Sequence, residues 1–430
     1  MGRPDRIPYR GSGPGIPRLM RVLLLSQYFF PEVGATQTRM SHFAQALVDL
    51  GHEVHVVTEF PNHPIGIIPD SYRGRWIEYD HSHPFHIIRV RVLASMRKTF
   101  WTRLGFYGSY CAMAILASVR LPGRYDVVVA TSPPLSVAVA GAVLSSIKRA
   151  PFVMDVRDLW PRAAKALKEL SNPLLYRLAE RTEHALYRKA ARITVTTKRF
   201  ACHVAECDAT FAAKTHLVPN GTVESVFSPE RGDDGLRQRL GLEDKFVVVY
   251  AGLHGVAQGL ETVIEAAARL KGAGVEFLFV GEGPRKEALK ILAAKRDLAE
   301  VRFIAQVPLE ESCYYLNAAD ALLVPLAADP VFEMFVPSKL FDAMACATPV
   351  ILSVDGEARE ILEEAGGGLF ARPGDPQALV DAILELRAHP ARRLEMGRRG
   401  RDFVRRRYLR ADQARHFARI VTDAATAAKV

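Results

Sequence analysis

From Met20 onward, short unbroken apolar runs alternate with stretches in which apolar residues recur every three or four positions. Runs of the first kind read as strands buried on both faces, and stretches of the second as helices covering a sheet. RVLLLSQYF predicts such a strand, PEVGATQT its loop, RMSHFAQALVDLGH a helix closed by Gly51, and EVHVVT the next strand. This is a βαβ unit, and HIIRVRVL, YDVVVATS, PFVMDV and RITVTT continue the series with helices between most of them.

Around VPNG (218–221) the alternation yields to a segment rich in Gly, Asp and charge that reaches Gly241, and then it restarts. KFVVVYAG, VEFLFVGEG, VRFIAQV, ADALLVPL and TPVILS predict strands; GLETVIEAAARLK and PRKEALKILAAK predict helices. The second half repeats the design of the first. The chain therefore predicts an α/β fold of two doubly wound, Rossmann-like domains facing each other across a cleft. The expected divisions are 20–215, 216–407 and a C-terminal helix at 408–430 that returns to brace the first domain. Residues 1–19 are rich in Pro, Gly and Arg without the apolar core of a signal peptide, and read as a disordered extension or a misplaced start, with folding beginning at Met20.

Composition narrows the partners. With 430 residues and 49% apolar content the chain can fill two cores. Its 57 Lys+Arg against 47 Asp+Glu, a net charge of +10, suit a nucleic acid, an anionic membrane or a phosphorylated substrate. Five cysteines, Cys111, Cys202, Cys207, Cys313 and Cys346, form no CxxC pair and lie at no zinc spacing with histidines, so reduced structural thiols in a cytosolic protein are expected. The longest uncharged run, Leu104 to Val119, is shorter than the roughly 20 residues that span a bilayer. Preceded by Arg97, Lys98, Trp101 and Arg103, it reads either as a helix lying in a membrane interface or as a buried helix covering the sheet.

In open α/β sheets, ligands bind beyond the carboxyl ends of the strands. Gly34 in the loop after the first strand would let a ligand approach the backbone, or simply serve a tight turn. AGLHGVAQGLE puts Gly252, Gly255 and Gly259 between a strand and a helix, where exposed N–H groups favour an anion. Neither this loop nor VGEGPRK, with Gly283, Arg285 and then Lys286 in the last place, is GxGxxG, so no nicotinamide cofactor is expected. Arg285 could reach a phosphate or stack on a base, or could mark an ordinary solvated helix start.

FEMFVPSKLFDAMACATPVI (332–351) carries the densest signal. Pro337 biases Val336 to an extended conformation, and Pro337-Ser338 opens a helix predicted from Lys339 through Ala345. Lys339 would face an anion, and Asp342, one turn in, would accept from vicinal hydroxyls; an ordinary capped helix with a surface ion pair is the plainer alternative. MDVRDLWP ends a strand in the polar cluster Asp155, Arg157, Asp158 and Trp160, a candidate site or an internal Arg–Asp pair.

Taken in order, PEVGATQTR, ATSPPL, VRDLWP, VPNG, AGLHGVAQGLETVIEAA, VGEGPRKEAL and FEMFVPSKLFDAMACATPVI resemble the family 4 retaining glycosyltransferases of GT-B fold, in particular the WbuB-like subgroup of bacterial surface-polysaccharide enzymes. The resemblance runs from Met20 to about Phe403. It implies a nucleotide-sugar donor, UDP-linked and including N-acetylamino sugars, on the second domain, and a glycan or lipid-linked acceptor on the first. Glu333 would meet the donor sugar, Asp342 the ribose, and Lys339 with the N–H groups at Gly34 and Gly255 the diphosphate. His254, Gln258, Gly283, Arg285, Val336, Pro337 and Ser338 complete the implied donor site. The chain departs from the family at several points. His254 and Gln258 stand where many members carry Arg and Lys, and Asp342 replaces the usual Glu. One extra residue separates Glu333 from Asp342, and Arg157 or Asp158 takes the place of a frequent histidine.

On this resemblance the leaving oxygen is stabilised by Lys339 and backbone donors, no metal or other cofactor takes part, and Asp155 or Asp158 orients the acceptor. The expected setting is the cytoplasm or the inner membrane face, with no nucleic acid partner. A nucleotide-sugar 2-epimerase of the same fold and a non-catalytic sugar-nucleotide sensor are the alternatives.

Overall fold

The computed structural model describes residues 19–428, except 33, 63–65, 97–98, 168–169 and 171. The expected extension at 1–19 thus lies, but for Leu19, outside the described residues, as do Arg97 and Lys98.

The first sheet consists of β1 (Arg21–Leu25), β2 (Glu53–Glu59), β3 (Ile77–Asp80), β4 (His86–Val90), β5 (Val127–Ser132), β6 (Phe152–Val156), β7 (Arg192–Val195) and β8 (Thr215–Leu217). Its order is β3-β4-β2-β1-β5-β6-β7-β8, parallel except for β3 against β4. The second sheet consists of β9 (Phe246–Ala251), β10 (Val275–Val280), β11 (Val301–Ile304), β12 (Ala321–Pro325), β13 (Val350–Ser353) and β14 (Gly368–Phe370), in the order β11-β10-β9-β12-β13-β14, parallel throughout. Both sheets are doubly wound, as the alternating pattern predicts. Strand order reverses between β1 and β5 in one and between β9 and β12 in the other, which opens a crevice at the carboxyl end of each pair.

Three strands were not expected from the pattern: β3, β8 and β14. All are edge strands of three or four largely half-exposed residues, too short to register as apolar runs, and β3 and β8 are polar besides. Because β8 pairs with β7, the first sheet runs through Leu217 and past the expected division at 215. The segment ATQT, expected as loop, is already helical in Ala35–Asp49.

Each sheet is covered on both faces by apolar clusters. Helix Phe100–Arg120 covers the first sheet, the second of the two readings of its apolar run. Tyr110, Ala114 and Ala117 are buried on the sheet, while Trp101, Leu104, Leu116 and Val119 are exposed. No helix of the described residues is long and apolar enough to cross a membrane. The last helix, Arg410–Ala427, packs on Ala35–Asp49 of the first domain, with Phe417 stacked on Phe43 at 3.8 Å between centroids.

One buried ion pair ties these parts together. Thr131, Asp155 and Thr194 are register partners on β5, β6 and β7, so their side chains share a face. Arg39, reaching down from its helix, meets Asp155 at 3.0 Å, and both are almost wholly buried. Thr194 donates to the same carboxylate at 2.7 Å. The guanidinium also donates to the carbonyls of Val218 (2.8 Å) and Pro219 (3.1 Å), where the chain leaves the first domain. Beside this exit the returning chain pairs with it, Thr222 N–H to the Tyr408 carbonyl (2.9 Å) and Arg410 N–H to the Thr222 carbonyl (2.8 Å).

Arg39→Met leaves the Asp155 carboxylate buried without its cation and is expected to cost about 3–5 kcal/mol, read as a fall in the urea midpoint. Arg39→Met with Asp155→Leu should recover much of that loss, since the stranded charge is gone. An unchanged midpoint in Arg39→Met would show that the pair does not hold the domain.

Candidate functional site

The second-domain crevice is built by the loops that follow β9, β10 and β12. Tyr250 is the last residue but one of β9, and its hydroxyl donates to the Leu253 carbonyl at 2.6 Å, fixing the first turn of the loop. The Lys339 ammonium lies over the Tyr250 ring, 3.9 Å from its centroid. Gly252, at φ +140°, leaves room for it: a Cβ there would come within 2.8 Å of Nζ. Lys339 opens the short helix Lys339–Ala345, with the bounds read from the sequence. Val336 is buried beneath the turn, and the carbonyls of Pro337 and Ser338 accept the first helical N–H groups, Leu340 and Phe341, at 3.0 Å each.

Burial pushes the Lys339 ammonium down to about 7, against the pull of Asp342. The Asp342 carboxyl is pushed up to about 6, again by burial, with Arg410, Thr222 and Lys339 opposing. Its Oδ1 is buried and accepts no hydrogen bond from the described residues. The pair thus presents a cation without strong charge compensation and, one turn away, an acceptor oxygen with nothing to accept from.

Other expected donor residues sit differently. His254 is fully buried among Tyr250, Phe279 and Phe303, and burial lowers its imidazole to about 4. Both its ring nitrogens are buried and have no hydrogen-bond partner among the described residues. Its backbone instead knits two turns, N–H to the Glu282 carbonyl and carbonyl to the Arg285 N–H, each at 2.9 Å. Gly283 permits that approach, for a Cβ there would fall 2.4 Å from the His254 carbonyl oxygen. The Gln258 side chain caps the Gly255 N–H at 3.1 Å. Arg285, expected at a phosphate, is paired with Glu261 through Nε at 3.0 Å, because the helix after the glycine loop brings that carboxylate alongside.

On the first-domain side, Gly34 is extended and caps the helix beginning at Ala35. Arg157 gathers the crevice loops: Nε donates to Thr131 Oγ1 at 2.6 Å, and the two terminal nitrogens to Thr36 and to the Pro133 carbonyl. Burial lowers its guanidinium to about 10, with Asp155 opposing. Asp158 is pushed up to about 6 by burial against the pull of Arg157, and its Oδ1 has no hydrogen-bond partner among the described residues. Asp155, expected to orient an acceptor, is fully enclosed by Arg39, Thr131 and Thr194. Its oxygens are spent on the domain and not offered to the cleft.

The two halves meet around Glu333. The turn Pro330–Met334 packs against helix Trp160–Ala166, which follows Arg157 and Asp158. Thr197 Oγ1 donates to the Met334 carbonyl at 3.0 Å, Phe335 meets Phe200 edge-on at 5.2 Å, and Glu357 accepts from the N–H groups of Lys198 and Arg199 at 3.0 Å each. Glu333 is exposed, in the turn Pro330–Met334 immediately beside this junction. Lys339 and Asp342 thus stand together in the second domain, Arg157 and Asp158 together in the first, and the turn that carries Glu333 packs on the helix that follows Arg157 and Asp158. Arg39 and Arg410 were missed in the sequence; single arginines on helices whose partners lie more than a hundred residues away leave no local signal.

Residues 34–221 match the family described as Glycosyl transferase 4-like domain, and residues 233–403 the family described as Glycosyl transferases group 1. A protein described as a glycosyltransferase, WbjE of Pseudomonas aeruginosa, is 29% identical over 64% of this chain and 70% of its own. WcaI of Escherichia coli K12, described as a colanic acid biosynthesis glycosyl transferase, is 25% identical over 85% of this chain and 91% of its own. Among solved structures, Anabaena HepE in complex with UDP-glucose superposes with a TM-score of 0.70 at 19% identity, over 94% of this chain and 100% of that one.

Lysines labelled at Cε should show one resonance titrating near pH 7, charged below that value and neutral above it, since the ordinary 10.5 is lowered in the fold. Lys339→Gln should remove that resonance; a lysine set titrating wholly near the ordinary value would overturn this account of the site.

Proposed function

Since the chain belongs to the GT-B glycosyltransferases, we propose that it transfers a sugar from a UDP-linked donor, with retention at the anomeric carbon, to a lipid-linked precursor of a surface polysaccharide. The observation that carries this reading is the Lys339–Asp342 wall: an undercompensated ammonium and an unfilled carboxylate oxygen, one helical turn apart beside a glycine loop. A diphosphate laid against Lys339 would restore full charge to its ammonium, and a ribose hydroxyl would satisfy Asp342 Oδ1. Glu333 then falls to the donor sugar at the junction, and Arg157 and Asp158 to the acceptor side. The uridine choice is supported by the resemblance and by the nucleotide held in HepE; surface polysaccharide is supported by the description of WcaI.

In the proposed reaction the bond from the anomeric carbon to the diphosphate oxygen breaks while the acceptor oxygen bonds to that carbon from the same face. The acceptor proton passes to the departing phosphate oxygen. Lys339 and backbone donors stabilise the charge that develops there, and no metal is needed for the step. The exposed Trp101 and Leu104, on a helix whose other face packs on the first sheet, offer the acceptor's membrane a contact on the acceptor side.

Lys339→Ala is expected to lower turnover by about 10²–10³-fold, the range seen when one donor to a developing oxyanion is removed. Near-normal turnover would end the leaving-group role, and product formed from UDP-sugar with no acceptor present would favour an epimerase. UDP affinity, measured calorimetrically, should be greatest between about pH 6 and 7: below it Asp342 is protonated, above it Lys339 must bind a proton to meet the diphosphate. Trp101→Asp with Leu104→Asp should reduce sedimentation with anionic vesicles while leaving transfer to a soluble acceptor analogue intact.

A further inference from the structure

At the opposite end of the first sheet a second cluster has no part in that reaction. β2 and β4 are parallel neighbours in which His55 and His86 are register partners, so both side chains project from the same face. Glu53, two residues before His55, shares that face. The turn YDHSHPFH (79–86) then carries His81 back over it, with its Nδ1 2.7 Å from Nδ1 of His86. Glu53, His55 and His86 each present a ligand atom within 4.8 Å of the others. One Glu53 oxygen is taken by Arg21 at 2.8 Å, while the other faces His55 Nε2 at 3.6 Å. His55 Nδ1 is buried and has no hydrogen-bond partner among the described residues.

We propose that Glu53, His55 and His86, joined by His81, form a binding site for a divalent cation of the zinc class. Three imidazoles and one carboxylate are a borderline set that suits Zn²⁺ or its neighbours in the transition series and disfavours Mg²⁺ and Ca²⁺, which take oxygen ligands. Bonds of about 2.0–2.2 Å to a tetrahedral ion bring ligand atoms to roughly 3.3 Å from one another. The His81–His86 contact at 2.7 Å and the Glu53–His55 contact at 3.6 Å bracket that spacing. The site joins the amino ends of β2 and β4 to the turn after β3, and so clips the antiparallel edge of the sheet to its parallel body. Since the crevice loops leave the carboxyl ends of the strands, the ion is structural and stands apart from sugar transfer.

The test uses the whole protein, stripped with a chelator and titrated with Co²⁺ as a visible reporter. One equivalent should bring up the intense absorption bands of tetrahedral Co²⁺, Zn²⁺ should bleach them, and either metal should raise Tm. His55→Gln and His86→Gln, which keep size and hydrogen-bonding capacity, should each abolish the bands. No bands in the unaltered protein, or bands unchanged in the double variant, would overturn the site. Chelated enzyme should transfer sugar to a soluble acceptor at its former rate at low temperature; loss of transfer there would overturn the structural role.

Discussion

The Arg39–Asp155 ion pair is the constraint through which the rest of the molecule is registered. Asp155 lies in a ladder with Thr131 and Thr194 across three strands, and Arg39 comes from the helix that follows the first strand. The same guanidinium holds the carbonyls of Val218 and Pro219, the exit from the first domain. It also lies 4.5 Å from the ring of Phe43, on which Phe417 of the last helix is stacked. One buried charge therefore specifies the crevice, the linker and the seat of the returning chain. A buried pair of this kind adds little net stability over apolar packing, but its geometry admits few alternatives.

The reactive wall uses burial for a different end. Lys339 and Asp342 are held against their ordinary charge states, the amine lowered and the carboxyl raised, because the loops over β9 and β12 take them from water without giving either a full set of partners. Incomplete satisfaction of this kind weakens a fold and prepares a site, since a ligand that completes it binds with the energy the protein lacks. Arg410 opposes the shift at Asp342 from the base of the last helix, where the two chain crossings pair. The same crossing thus bears on domain placement and on the charge state of the carboxyl.

Much of the fold was legible because parallel strands covered on both faces must be apolar throughout. β1, β2, β5, β9, β10 and β12 announce themselves, while β3, β8 and β14, at the edges with one side toward water, carry no such run. The candidate site was legible where its residues are close in sequence. Lys339, Asp342 and Glu333 lie within one short segment, and the helix bounds at Lys339 and Ala345 followed from the proline before them. His254 and Arg285 were read as donor residues from their neighbours in sequence, but their contacts come from the fold: one packs among aromatic rings, the other pairs with Glu261.

By itself the sequence determined the two doubly wound domains and the short helix Lys339–Ala345, since each depends on periodicity or spacing within a few turns of chain. Only the tertiary structure decided the fate of the charged groups. Asp155 and Asp158 stand three apart, one in β6 and one just beyond it, yet one is locked by an arginine 116 residues distant and the other keeps a buried oxygen without a partner among the described residues. Glu53, His55, His81 and His86 form a cluster only because β2 and β4 pair in that register. A charge finds its partner through space, and where partners come from distant strands, the pairing is a property of the fold and not of the chain.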